Sequence, residues 1–426
     1  MTDFTMFGLA PALNEALTEA GITEPTPIQK KAIPFALDGH DVLGLAQTGT
    51  GKTLAFGLPL IERVLAEPGR PAPKTVKALV LAPTRELVNQ IADNLRGLTT
   101  KTKVGVATVV GGQPIKRQMN RLDRGVDILV ATPGRLIDLM ERRAVDLSTV
   151  RALVLDEADQ MLDMGFIHAL RQIAPALGTP RQTMLFSATM PKQMEELSAA
   201  YLDRPKRVQV APPGKAADKV TQSVHFVTKP GKPELLRRIL DEDKDALTLV
   251  FSRTKHGAEK LMKGLVADGY DAASIHGNKS QSQRDRAIKA FREGTIKVLV
   301  ATDVAARGID IPGVAYVINY DLPEVAENYV HRIGRTARAG REGEAIAFCC
   351  AEEVLLLRQI QRLMKFTLPV ASGVEPEPVD PPKRGGGGGG RGRGRGHGGG
   401  GPKPGGSGGR GKPANRSRRP RRKSAA

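Results

Sequence analysis

Short runs rich in β-branched and other apolar residues recur along this chain, each followed by turn residues and then a helical pattern. They fall at Asp41–Ala46, Ala78–Thr84, Val104–Gly112, Asp127–Pro133, Ala152–Asp159 and Thr183–Thr189. Strands that alternate with helices build a parallel α/β sheet. Runs such as Ala-Leu-Val-Leu at 78–81 are apolar throughout instead of alternating, as strands covered by helices on both faces must be. Buried helix segments would share that apolar character, but short length and valine content favour strands.

The pattern breaks at Ala-Pro-Pro-Gly-Lys, residues 211–215, and then resumes at Thr248–Thr254, Asp271–His276, Lys297–Asp303, Tyr316–Asp321 and Glu344–Cys350. Two α/β domains in tandem are therefore expected, over 1–210 and 219–370, joined by a linker at 211–218. The absence of a fixed-period repeat excludes a solenoid.

Charge separates a third region. The chain carries 64 Lys+Arg against 45 Asp+Glu, a formal charge of +19; residues 383–426 hold 14 of the basic residues and no acid, which leaves +5 for everything before Lys383. The same stretch holds 18 of the 47 glycines. From 371 to 426 we expect a disordered, Gly/Arg-rich basic tail, because this composition cannot bury enough apolar surface to offset ordering. A polyanion is its expected partner. The tail lacks an aromatic on which bases could stack, so its contacts with a nucleic-acid polyanion would be to phosphates, with arginine stacking as the alternative.

The only cysteines are the adjacent Cys349 and Cys350, a poor structural pair, which fits a reducing compartment. The first thirty residues contain Asp3, Glu15, Glu19 and Glu24 without a basic start, and no segment reaches the length of a membrane span. A soluble, cytoplasmic, monomeric chain is expected, with no membrane partner.

Two clusters carry chemistry. Ala46-Gln47-Thr48-Gly49-Thr50-Gly51-Lys52-Thr53 follows a strand and opens a helix, the context of a phosphate-binding loop. Backbone N–H groups around Thr48, Gly49, Thr50 and Gly51 can wrap a phosphate, Lys52 can reach the β and γ groups, and Thr53 can hold magnesium. A glycine-rich turn without a ligand has the same composition. Downstream, the strand at 152–155 runs into Asp156-Glu157-Ala158-Asp159. Asp156 at a strand's carboxyl end can bind magnesium and Glu157 can activate water, although acids at a helix start also serve as caps. Lys52 upstream favours the catalytic reading, with a nucleotide and Mg2+ as cofactors.

The chain resembles the DEAD-box ATP-dependent RNA helicases over roughly residues 4–366. Asp156–Asp159 spells the family name. Further motifs follow in the family's order: Pro83-Thr84-Arg85-Glu86-Leu87, Gly111-Gly112, Thr132-Pro133-Gly134-Arg135, Ser187-Ala188-Thr189, Ala306-Arg307-Gly308-Ile309-Asp310, and His331 through Arg338. The minimal core with a basic tail looks most like the bacterial RhlE-type members. The resemblance implies two RecA-like domains and duplex unwinding or RNA–protein remodelling driven by ATP hydrolysis.

It also implies roles. Gln29, in Pro25–Gln29, resembles the adenine-reading residue, using donor and acceptor on the base. The family usually has an aromatic where this chain has Ile22, so stacking is weaker or comes from Phe4 or Phe7. Arg335 and Arg338 would be arginine fingers, and their spacing sets both on one face if the segment is helical. His331 would link ATP to the contacts between domains, and Asp310 would hold the ribose. RNA contacts implied for the first domain are Pro83, Arg85, Gly112, Thr132 and Arg135, and for the second Arg253, Gln281, Arg284, Thr302 and Asp303. Binding by this core is expected to be independent of sequence, with ribosomal precursors or the RNA-decay machinery among its partners. An RNA-annealing scaffold and a translocating DNA helicase compete with this reading; intact Glu157, Arg335 and Arg338 oppose the first, and the adenine-reading segment and the Asp156–Asp159 quartet oppose the second.

Overall fold

A computed structural model describes residues 3–46, 49–67, 69–210, 220–306, 311, 313–337 and 343–379. Two parallel sheets of seven strands follow one another along the chain, as tandem RecA-like domains require. The first contains β1 (Val42–Leu45), β2 (Val76–Leu81), β3 (Val106–Val109), β4 (Val126–Ala131), β5 (Ala152–Leu155), β6 (Gln182–Ser187) and β7 (Lys206–Gln209). The second contains β8 (Val220–Phe226), β9 (Leu247–Phe251), β10 (Ala272–Ile275), β11 (Val298–Ala301), β12 (Val314–Asn319), β13 (Gly343–Cys349) and β14 (Val370–Ser372).

Their orders are β3-β4-β2-β5-β6-β1-β7 and β10-β11-β9-β12-β13-β8-β14. Adding seven to each strand of the first sheet reproduces the second, so the two domains have one topology. Within the first, β5 shows why the strands read as wholly apolar: Ala152 and Val154 pack into one core, Leu153 and Leu155 into another on the opposite face. Both layers are closed by amphipathic helices such as Arg85–Leu98, whose Leu87, Val88, Ile91, Ala92 and Leu95 face inward at helical spacing.

Three strands escape the sequence reading. In β7 only Val208 is buried, and both β7 and β14 are edge strands with one neighbour. β8 lies inside the sheet, yet it carries Thr221, Gln222, Ser223 and His225, which mask the apolar signal. The tail expected from Ala371 also needs correction. Val370–Ser372 pairs with β8, and Arg358 meets Glu375 at 2.9 Å, so the second domain holds its chain beyond 370. Residues 380–426 and the linker 211–218 lie outside the described residues. No helix among the described residues is long and apolar enough to cross a membrane.

Candidate nucleotide cleft and nucleic-acid groove

The helix Lys52–Ala66 starts directly after the loop that follows β1. Gly51, its N-cap, has φ +91°, and a Cβ there would meet the Gln29 amide at 2.5 Å. Only glycine suits such a position. Two hydrogen bonds fix the loop from outside: Thr26 Oγ1 donates to Thr50 O at 2.8 Å, and Gln29 Nε2 donates to Gly51 O at 2.9 Å.

A cavity of about 560 Å³ opens here, lined among others by Ile22, Gly49, Gly51, Lys52, Thr53, Asp156, Glu157 and Arg335. Lys52 is 6% exposed, and its Nζ has no hydrogen-bond partner; Asp156 Oδ1 is 3.7 Å away. An ammonium buried without acceptors is costly, and phosphate oxygens are the groups that would satisfy it. Asp156 is 2% exposed. Burial pushes its carboxyl up to about 6, against the pull of Lys52 and a 3.0 Å hydrogen bond from Glu157 N. Added positive charge is what this carboxylate needs. Thr53 and Asp156 offer hard oxygen donors, and no group of three or more His, Cys, Asp or Glu able to hold a metal occurs among the described residues. That donor set fits magnesium, which keeps several waters and shares its shell with substrate phosphates.

Glu157 is buried and sits at φ +51°, capping the short helix Ala158–Asp163. A non-glycine residue in the left-handed region is strained, and such strain concentrates at functional sites. Asp159 turns the other way. Its Oδ2 accepts from Ala188 N at 3.0 Å, Thr189 N at 2.9 Å and Thr189 Oγ1 at 3.1 Å, tying the acidic segment to the loop after β6. The Ser187–Thr189 motif carries no sign of this anchoring role in the sequence, because the acceptor lies about thirty residues upstream and leaves no local signal.

The structure corrects several expectations around the cleft. Gln29 is 1% exposed and already engaged, donating to Gly51 O and accepting from Thr26 N at 2.8 Å; one N–H and one lone pair of its amide remain for a base. Phe4 is buried in the first core and Phe7 packs beside it, edge to face at 5.9 Å, and neither lines the cavity. Ile22 does, so an aliphatic surface takes the aromatic's place. Arg335 does not sit on a helix. The helix Ala326–Ile333 stops at its cap Gly334, so the one-face argument from spacing falls away. Arg335 reaches the cavity from the turn beyond, 4% exposed, with Nε donating to His331 O at 3.3 Å. His331 lines a neighbouring cavity of about 450 Å³ with Asp159, Asp163 and Thr189. Thr48, Asp310 and Arg338 lie outside the described residues.

A second concavity, about 410 Å³, gathers Pro83, Arg85, Thr132 and Arg135 from the first domain with Arg284 from the second. Gly112 stands against it, where any Cβ would run into the Arg85 guanidinium. Two of the basic residues here, Arg85 and Arg284, are tied to the opposite domain. Arg85 Nη1 donates to Gln281 Oε1 at 2.8 Å, Gln281 Nε2 donates to Glu86 Oε1 at 3.0 Å, and Arg284 Nη2 lies 3.0 Å from that same Glu86 oxygen. Arg135 donates to Gln113 O at 3.0 Å. Three other candidates are turned away from this cavity. Arg253 Nη2 donates to Glu353 at 2.5 Å, Asp303 takes a two-pronged ion pair from the buried Arg332 at 2.5 and 2.7 Å, and Thr302 is buried. Phe166 and Met164 line the groove unanticipated, delivered by the turn at Gly165.

Comparison with known proteins agrees with this arrangement. Residues 26–197 match the DEAD/DEAH box helicase model and residues 231–340 the helicase conserved C-terminal domain. A Dbp5 variant from S. cerevisiae bound to RNA and ADP BeF3 superposes with a TM-score of 0.79 at 30% identity, covering 87% of this chain and 96% of that one. Mss116p bound to ssRNA and AMP-PNP gives 0.79 at 29%, covering 88% and 79%. The same yeast Dbp5 variant bound to nup159, gle1, ip6 and adp gives only 0.59 at 30%, covering 86% and 96%. The chain belongs to the DEAD-box family of RNA helicases. Its activity is that of an RNA-dependent ATPase and helicase.

Proposed function

We propose that this ATP-dependent RNA helicase hydrolyses ATP in the cleft between Lys52, Asp156, Glu157 and Arg335, and holds RNA across the groove at Arg85, Thr132, Arg135 and Arg284. The observation that carries this reading is the buried Lys52 ammonium, without an acceptor, in a cavity that an arginine of the second domain also lines. Lys52 binds the β and γ phosphates. Glu157 accepts the proton of the attacking water as its oxygen bonds to the γ-phosphorus, and the bond to the β–γ bridging oxygen breaks to leave ADP and phosphate. Thr53 and Asp156 would hold magnesium, which would supply positive charge against the phosphate oxygens. Arg335, and Arg338 by its place in the motif, neutralise charge that develops on the γ-phosphoryl group. Gln29 reads adenine with the donor and acceptor left to it, and Asp310 meets the ribose.

ATP and RNA each favour the closed placement of the domains, so each raises the affinity for the other. Closure over one strand separates a short duplex or strips a protein from RNA; hydrolysis reopens the molecule. Contacts to phosphates and 2′-hydroxyls give binding independent of sequence. We further propose a monomeric, cytoplasmic, RhlE-like helicase acting on ribosomal precursors or on RNA undergoing decay; the minimal core, the basic tail and the unbridged, buried Cys349 and Cys350 support this. The test is the ATPase rate without nucleic acid, with RNA and with DNA. Strong stimulation by RNA alone is expected. A rate that ignores RNA would defeat the reading, and recovery of crosslinked RNA from cells would identify the substrate.

A further inference from the structure

Gln281 and Arg284, the residues that reach across to the first domain, stand at the start of the helix Gln281–Arg292, which follows the short loop 276–280. That loop is held by a residue outside both cavities. Glu259, on the helix Lys255–Ala267, uses a single oxygen, Oε2, to accept from three donors: Ser274 Oγ of β10 at 2.7 Å, His276 Nε2 at 3.0 Å and Lys279 Nζ at 2.8 Å. Ser274 and His276 are buried, each 5% exposed, whereas Glu259 and Lys279 are half-buried.

The contacts continue without a gap toward the interface. Asn278 N donates to His276 Nδ1 at 3.3 Å, and a ring nitrogen that accepts a backbone N–H carries no proton, which leaves Nε2–H to face Glu259. Lys279 N closes a turn on His276 O at 3.0 Å. Ser280 then caps the next helix reciprocally with Gln283. Gln281 and Arg284 follow, three residues apart, and meet Arg85 and Glu86. The hydrogen bonds from Lys279, His276 and Ser274 pull the Glu259 carboxyl down to about 2, so it is an ionised acceptor at any working pH.

We propose that Glu259 is a positioning residue that sets the 276–280 loop so that Gln281 and Arg284 meet Arg85 and Glu86 when the domains close on RNA. It lines neither the nucleotide cavity nor the groove. The loop-holding part stands on geometry alone, while the RNA part rests on the helicase reading, and two readouts on the full chain separate them. Amide hydrogen exchange reads the loop. In Glu259→Ala the amides of 278–281 should exchange about tenfold faster or more, with β9 and β12 unchanged. RNA titration of the ATPase reads the bridge: the half-saturating RNA concentration should rise about tenfold, with ADP affinity and RNA-saturated turnover within about twofold of the parent.

A purely structural role would lower stability without this split. Adding Glu259→Ala to Gln281→Ala should then raise half-saturation no further than Gln281→Ala does alone, because both act through one contact. If Glu259→Ala folds poorly, Lys279→Met removes one donor and should move both readouts in the same direction by about two- to threefold. Unchanged exchange in these variants overturns the proposal, as does a double variant whose effects multiply. A parent ATPase indifferent to RNA would count against the helicase reading, and exchange would still decide whether Glu259 holds the loop.

Discussion

The two domains share a strand order, and each presents a lysine and an aspartate at the same topological places. Lys52 opens the helix after β1, and Asp156 follows β5 at 3.7 Å; Lys232 opens the helix Lys232–Glu242 after β8, and Asp321 follows β12 at 3.5 Å. A cavity of about 570 Å³ beside Lys232 and Asp321 matches the cleft beside Lys52 in size. What differs is who satisfies the lysine. Lys52 Nζ has no hydrogen bond, whereas Lys232 Nζ donates to Glu353 Oε2 at 2.7 Å and to Tyr320 O at 2.6 Å.

Glu353, itself 2% exposed, also accepts from Leu322 N at 3.1 Å and from Arg253. The second domain thus carries its anion within the chain. The aspartates report the same contrast. Burial pushes Asp156 up to about 6, whereas at Asp321 the same burial is outweighed by Lys232 and by hydrogen bonds from Arg253 N and Ser252 Oγ, which hold it below the usual carboxylate range. One topology therefore leaves the cation without a hydrogen-bond acceptor in the first domain, and makes a structural ion pair in the second, where a carboxylate fills that place.

The largest effect that could break this contrast is at Arg335, the second-domain residue that lines the first domain's cavity. Arg335→Ala should lower RNA-saturated ATP turnover by about 10³–10⁵ while changing ATP affinity far less, because its contact matters as charge develops. Equal losses in affinity and turnover would make it a ground-state ligand. Glu157→Gln comes next, with turnover expected to fall about 10²–10⁴ and ATP and RNA binding preserved, since the amide keeps the shape but accepts no proton. Single-turnover hydrolysis at the parent rate would remove Glu157 as the base.

The lysine pair sharpens the comparison directly. Lys232→Ala should cost about 1.5–3 kcal/mol of stability, because it takes a charged donor from the buried Glu353 and leaves it Arg253 and Leu322 N alone, and should leave ATP affinity near the parent value. Lys52→Ala should do the reverse: ATP binding weakens by about 1.5–3 kcal/mol, and thermal stability without nucleotide holds or rises. Melting curves and nucleotide titrations on both variants decide it. The same outcome for both would mean that the two lysines are equivalent after all.

Much of this was legible in advance for a physical reason. Strands covered on both faces are apolar throughout, so the inner strands announced the parallel sheets, while edge strands β7 and β14 and polar β8 did not. Lys52 was legible because its loop must be glycine-rich to wrap a phosphate, a local constraint that sequence displays. Lys232 and Glu353 were not, because an ion pair between residues over a hundred positions apart has no local pattern. The Glu86 bridge to Gln281 and Arg284 is hidden for the same reason. Arg335 was found by its motif and misplaced by its spacing, since the helix ends at Gly334 before the arginine is reached.

The smallest expected effect lies at the base end of the cleft. With Phe4 committed to the core and Phe7 packed on it, Ile22 is an apolar side chain that lines the cavity, and it offers packing without a ring face. Ile22→Phe should add an aromatic contact of about 0.5–1.5 kcal/mol, lowering the ATP concentration for half-maximal ATPase by roughly two- to tenfold. Turnover at saturation should stay level, because a contact made equally before and during reaction does not lower the chemical barrier. Stacking is indifferent to the identity of the base, so binding of GTP should gain by a similar factor while the preference set by Gln29 persists. ATP and GTP titrations of the RNA-saturated parent and variant measure both. An unchanged half-saturation would place the base elsewhere than over Ile22, and a gain confined to ATP would show that the ring acts by reorienting Gln29 instead of by stacking.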